Sequence, residues 1–361
     1  MQLCVQKVKL EQTAYLWLVI DKSGLPVEPI ESFLGYLFNT EKSPHTIESY
    51  AHHLKLYWQF LLLADKDWHV VSIADLSQFV VWLRNSIHLL TPSDNSFRRV
   101  ESTVNTILSA ISSFYRHHNQ LGNTQVQLTE PCYMPINRHK SLLYHVYKNK
   151  PFHKRIISLK TNKILPKIIT KEQMEMVLEA CGNIRDRFLL CLLYETGLRI
   201  GQALSLYHDD IKSFDNEIHI IYRENHPQQI CNKSRKPNIL AISQDLMRQY
   251  SIYINEYQNI LHVCPYVFVN IKTGSFLTYP AVRKIFRRLS SRVGFRLTPH
   301  MLRHTHATLL INSGWDAAFV QKRLGHAHVE TTINRYVHLE QADLKKAFQF
   351  YLKQQAEGAS K

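Results

Sequence analysis

Along most of the chain apolar residues recur every three or four positions between short polar breaks rich in Gly, Pro, Asn and Asp, which predicts a mainly α-helical protein. Ile47, Tyr50, Ala51, Leu54, Trp58 and Leu61 share one helical face, with Ser43 as N-cap and Pro44 at the first helical position. Two more helices are expected through Leu76, Phe79, Val80 and Leu83, and through Val100, Val104, Ile107, Leu108, Ile111 and Phe114. Ahead of them, Tyr15 to Ile20, the turn signal Asp21-Lys22-Ser23-Gly24 and Pro26-Val27 predict a short extended segment or hairpin. Residues 1–28 therefore read as an extended leader and 29–128 as a small helical domain.

The pattern resumes at Thr170-Lys171-Glu172-Gln173, which has the capping-box form and precedes the apolar stripe Met174, Val177 and Leu178. A very apolar helix through Phe188 to Tyr194 is expected to stop at Gly197 in left-handed conformation. Two strand-like runs, 217–222 and 238–242, come before more helical sequence, so residues 165–355 predict a mainly α domain with a small β-sheet. Between the domains, residues 129–164 read as a basic linker. From Pro131 to Lys171 there are ten Lys or Arg and no Asp or Glu. Such a run is either a solvated connector or, with its interleaved Tyr144, Val146, Tyr147, Phe152 and Ile156, a strap on phosphates in which Lys154 and Arg155 displace counterions.

Charge narrows the class of partner. The 361 residues carry 44 Lys plus Arg against 29 Asp plus Glu, a net charge of +15, which favours a polyanion, nucleic acid first. The six cysteines are scattered without a CxxC pair, as expected of free thiols in a reducing compartment. The longest early apolar run, Ala14 to Ile20, is too short for a membrane span and lacks signal-peptide features, so a cytoplasmic protein is expected.

Four blocks in the second half carry candidate chemistry. The first is Glu195-Thr196-Gly197-Leu198-Arg199-Ile200-Gly201-Gln202, a glycine break followed by an arginine in apolar surroundings. The second is Lys233-Ser234-Arg235-Lys236-Pro237, a basic turn between the two strands. In the third, Thr298-Pro299-His300-Met301-Leu302-Arg303-His304-Thr305-His306, a capped helix start puts His300 and Arg303 on one face. The fourth runs from Leu324-Gly325-His326 to Arg335-Tyr336, with a histidine ten residues before a tyrosine. Singly, each block reads as an ordinary helix start, turn or structural histidine.

Together and in this order, the blocks resemble the tyrosine recombinase (phage integrase) family, whose motif is Arg, Lys, His-x-x-Arg, Leu-Gly-His and a final Tyr. The likeness covers the second domain, and the first is similar to the family's helical core-binding domain through Ser43-Pro44-His45-Thr46-Ile47-Glu48-Ser49-Tyr50. The resemblance implies a two-domain, C-shaped clamp on double-stranded DNA. It also implies active residues at Arg199, Lys233, His300, Arg303, His326 and Tyr336, and no metal or nucleotide cofactor. In that reading two guanidiniums hold the non-bridging oxygens, Lys233 protonates the leaving 5′ oxygen, and Tyr336 forms a 3′-phosphotyrosyl ester. Either His300 or His326 can take the phenolic proton. Assembly of four protomers on paired DNA sites, with accessory recombination proteins, is implied in the same way. Two departures stand out: Gln202 occupies a position that is acidic in many members, and Lys236 shares the turn with Lys233.

Three other readings compete. His300, His304, His306, His326 and His328 are dense enough for a metal-dependent nuclease. The fold could also serve a catalytically silent DNA-binding protein, or a relaxing topoisomerase with the same chemistry. Outside the blocks, Ala281 to Arg292 forms an amphipathic pattern whose Arg283, Arg287 and Arg288 are candidate DNA contacts. Residues 342–352 predict a final helix with Leu344, Ala347, Phe348 and Tyr351 on one side, packing on its own domain or docking on a neighbour.

Overall fold

The computed structural model describes residues 3–10, 15–85, 99–132, 152–161, 167–221, 223, 237–262 and 264–325. The chain divides into two compact units, Met1–Lys163 and Ile164–Lys361. Among the described residues it is mainly helical with three small antiparallel sheets.

The first unit opens with a hairpin, β1 (Cys4–Lys9) against β2 (Tyr15–Ile20). The leader is thus a true hairpin whose second strand was foreseen and whose first was not; Pro26 adds only a single bridge to Ile20. The turn after β2 is closed by Asp21, whose Oδ1 accepts from the backbone N–H groups of Ser23 and Leu25. Leu3 and Val19 are buried with α1 (Glu28–Asn39), α2 (Pro44–Leu63), α3 (Ile73–Asn85) and α4 (Glu101–Gln120), so the hairpin is part of this core. The Ser43 side chain caps α2 by accepting from Thr46 N, with Pro44 in the first turn, a cap that stabilises by about 1 kcal/mol. Tyr57 and Tyr115 meet hydroxyl to hydroxyl at 2.7 Å in the aromatic centre, and the Tyr115 hydroxyl donates to the carbonyl of Trp68 at 2.9 Å.

The described parts of the expected linker belong to this unit. β3 (Thr129–Cys132) pairs with β4 (Phe152–Arg155), and Ile157 and Leu159 pack against the first core. Asn105 clips both backbone polar groups of one residue, donating to Leu159 O at 2.8 Å and accepting from Leu159 N at 2.9 Å.

The second unit begins with α5 (Lys171–Glu179), where Thr170 and Gln173 form both halves of the capping box. α6 (Ile184–Thr196) buries Phe188, Leu189, Leu190, Leu192 and Leu193 and ends at Gly197, φ 63°. After the short α7 (Ile200–Leu204), the strands β6 (Glu217–Ile220) and β7 (Asn238–Ala241) pair as expected, joined by an unforeseen two-residue strand, β5 (Ile211–Lys212). Two residues have too little periodicity to be seen in sequence. α8 (Gln244–Leu261), α9 (Tyr279–Val293), α10 (Pro299–Asn312) and α11 (Ala317–Leu324) complete the described unit. The core is centred on Phe188, Tyr253 and Phe268, whose rings stack at 5.6–6.3 Å.

Candidate active site

α10 holds the centre of the site. Thr298 caps it by accepting from Met301 N, and Pro299 occupies the first turn. The cap sets the phase of the helix, which puts His300 on the exposed rim and Arg303 one turn further in, 4% exposed. A guanidinium so enclosed must have its N–H groups satisfied. Arg303 Nη1 donates to Gly197 O at 2.6 Å and Nη2 to Leu324 O at 2.8 Å. These carbonyls lie at the C-terminal ends of α6 and α11, where backbone acceptors lack helical partners. Each of these helix ends leads directly into another motif: Arg199 follows Gly197 by two residues, and His326 follows Leu324 by two. One side chain thereby gathers three of the four blocks.

Arg199 is half-buried at the start of α7. Its backbone N–H donates to Gln202 Oε1 at 3.0 Å, so the amide at the position that is often acidic closes the first turn of α7. Gly197 is required twice over. Its φ of +63° is left-handed, and a Cβ would lie 2.7 Å from both His306 Cδ2 and Leu324 Cδ2. Lys233, His326 and Tyr336 lie outside the described residues, as does the helix expected at 342–352.

The histidine-rich neighbourhood separates by environment. His306 is 6% exposed, and its Nε2 accepts from Arg323 Nε at 3.1 Å. Burial, followed by the charge of Arg323, pushes this imidazole down to about 3, opposed by its hydrogen bond to the Tyr194 backbone. It is therefore neutral, with the lone pair that a metal would need already engaged. Among the described residues, no group of three His, Cys, Asp or Glu side chains is placed to hold a metal ion. His306 and Arg323 are not singled out by the sequence for what they do; His306 lies in the third block, and Arg323 immediately precedes the fourth.

The candidate DNA contacts also divide. On α9, Arg283, Arg287 and Arg288 are all exposed, but Arg288 Nη2 donates to the fully buried Asp186 at 2.8 Å. Asp186 also receives Arg185, so Arg288 ties α9 to α6. Arg155 at the end of β4 donates from Nη1 to Asn105 O, which holds the strand on α4; of Lys154 only the backbone, paired with Glu130, is described. Cys4, Cys181, Cys191 and Cys264 are free thiols, and no helix among the described residues is long and apolar enough to cross a membrane.

A helical first unit, a catalytic-type second unit and an arginine that gathers the motif segments define the class, and residues 167–343 match the model of the Phage integrase family. Residues 30–119 match that of the Phage integrase, N-terminal SAM-like domain. The chain belongs to this family, the tyrosine recombinases. Over 356 residues it is 39% identical to Transposase A from transposon Tn554 of Staphylococcus aureus, spanning 96% of this chain and 98% of that protein. It is 28% identical over 335 residues to the tyrosine recombinase XerD of Oceanobacillus iheyensis, spanning 89% and 97%. In fold it is similar to the Tn1549 transposon integrase in complex with transposon right end DNA, with TM-score 0.62, 15% identity, and 89% and 98% of the two chains covered. The XerH recombinase in its post-cleavage complex with palindromic difH gives TM-score 0.60 at 20% identity, over 85% and 80%.

Proposed function

We propose that this protein is a site-specific DNA strand transferase of a mobile element, cutting and rejoining DNA through a 3′-phosphotyrosyl intermediate on Tyr336. The observation that carries the reading is Arg303, whose hydrogen bonds to Gly197 O and Leu324 O hold the segments leading to Arg199 and His326 beside its own helix. In-line attack by the phenolic oxygen on phosphorus gathers negative charge on the non-bridging oxygens, which Arg199 and Arg303 neutralise while His300 and His326 add hydrogen bonds. One histidine accepts the phenolic proton, since a free phenol loses it only near ~10. Lys233 gives a proton to the departing 5′ oxygen, and the ester keeps the bond energy until a 5′ hydroxyl attacks it and releases Tyr336. Arg283, Arg287 and Lys154 add sequence-independent phosphate contacts. The likeness to Transposase A from Tn554 along nearly the full chain favours transposition among the reactions open to this chemistry.

The test is a labelled DNA substrate with a nick beside the cleavage site, which traps the adduct. Label should become covalently attached to the wild-type chain in the presence of EDTA and not to Tyr336→Phe, with DNA binding retained in the variant. Attachment that survives Tyr336→Phe, or cleavage that needs added metal, rejects the reading. We further propose that four protomers assemble on paired sites through residues 342–352. Truncation after Leu339 should then abolish assembly while leaving cleavage intact.

A further inference from the structure

We propose that His306 is a positioning residue for strand cleavage, acting through Gly197 and Arg323 on the two segments that carry Arg199 and His326; the proposal rests on the phosphotyrosine reading above. His306 lies three residues after Arg303 on α10 and so faces the same interior. One edge of its ring is packed against Gly197 so closely that a single added carbon would come within 2.7 Å of Cδ2. Its Nε2 accepts from Arg323 Nε at 3.1 Å. Arg323 in turn donates from Nη2 to Glu195 O at 3.3 Å and to Ala241 O at 3.1 Å, joining the end of α11 to the ends of α6 and β7. Asn238, at the start of β7, donates to Arg323 O at 3.2 Å. The end of α11 is therefore held by Arg303 at Leu324 O, by Asn238 at Arg323 O and, through the Arg323 side chain, by His306, Glu195 O and Ala241 O.

His306 does not exchange a proton with DNA, because its Nε2 lone pair is taken by Arg323 and its ring is held on the other side by the Tyr194 backbone. Its effect is geometric: it sets the spacing between the C-terminal end of α6, just before Arg199, and the last turn of α11, just before Gly325-His326. A misplacement of about 1 Å in groups that hold a reacting phosphate lowers rate by roughly 10²-fold.

The experiment measures the first-order rate of covalent adduct formation on the nicked substrate at saturating DNA, beside DNA affinity and melting temperature, for three variants of the full chain. His306→Leu removes the acceptor and should cleave about 10²-fold more slowly, with DNA affinity changed by no more than about twofold. His306→Gln keeps an acceptor near Nε2 and should regain most of the rate. His306→Leu with Arg323→Met removes the Nε–H that the single variant leaves without its acceptor and should regain melting temperature while remaining slow. Recovery of rate together with stability in the double variant would show a merely structural role and overturn the proposal, as would a wild-type rate in His306→Leu. If His306→Leu does not fold, the Gln and double variants decide by the same criteria. Absence of adduct from the wild-type chain itself would instead reject the recombinase reading, so the two failures are distinct.

Discussion

Replacing Gly197 by alanine is expected to destabilise the second unit by about 2–4 kcal/mol, while the same change at Gly294 costs only about 1 kcal/mol. Both glycines end helices in left-handed conformation, φ 63° and 76°, so the backbone contribution, about 1–2 kcal/mol, is shared. They differ in what surrounds them. An alanine Cβ at 197 meets His306 Cδ2 and Leu324 Cδ2 at 2.7 Å, whereas nothing lies within 4 Å at 294. Neither neighbour can yield easily, because the His306 ring is held by Arg323 and Leu324 is 2% exposed in a small cluster with Ala307 and Val320. Overpacking of this kind typically adds about 1–3 kcal/mol, and the stiffer unfolded chain returns about 0.4–1 kcal/mol. Urea unfolding of the two variants by circular dichroism gives the comparison directly, and adduct formation should fall further in Gly197→Ala than in Gly294→Ala because Arg199 follows the altered turn. Equal destabilisation at the two positions would refute the argument that close approach, and not φ alone, requires glycine at 197.

Three other expectations follow from the same contacts. Because the unfolded chain protonates His306 near ~6.5 and the folded chain only near about 3, stability falls as pH drops below 6.5, by roughly 2 kcal/mol at pH 5. Acid unfolding of His306→Leu with Arg323→Met should be flatter over that window, and an unchanged slope would count against a neutral buried His306. Alanine at both Arg283 and Arg287 should weaken binding to all DNA sequences alike and reduce the salt slope by up to about 2, whereas Arg288→Ala should leave the slope near wild type. Filter binding across a salt series separates the two; a slope loss confined to Arg288→Ala would reverse the assignment. Asp186→Ala, which strands Arg185 and Arg288, should cost about 3–5 kcal/mol in thermal unfolding, and a loss under 1 kcal/mol would mean the buried pair is dispensable.

Local chemistry was readable from the chain itself. The Ser43-Pro44, Thr170–Gln173 and Thr298-Pro299 helix starts and the stop at Gly197 depend on residues a few positions apart, and the two longer strands of the second unit are successive runs along the chain that pair with each other. The partner strand of the leader, the two-residue β5 and the folding of β3 and β4 onto the first unit were hidden, because weak periodicity over a few residues does not name a partner. The same limit applies to side chains. Arg288 pairs with Asp186 across 102 positions, and Arg303 finds Gly197 O across 106, so an arginine that reads as a surface cation becomes a tether or a clamp only when distant segments meet. His306 looked like one more histidine in a rich stretch. The folded chain sets its Nε2 against Arg323 and its ring edge against Gly197, and with those neighbours it can be neither a proton donor at the surface nor a metal ligand.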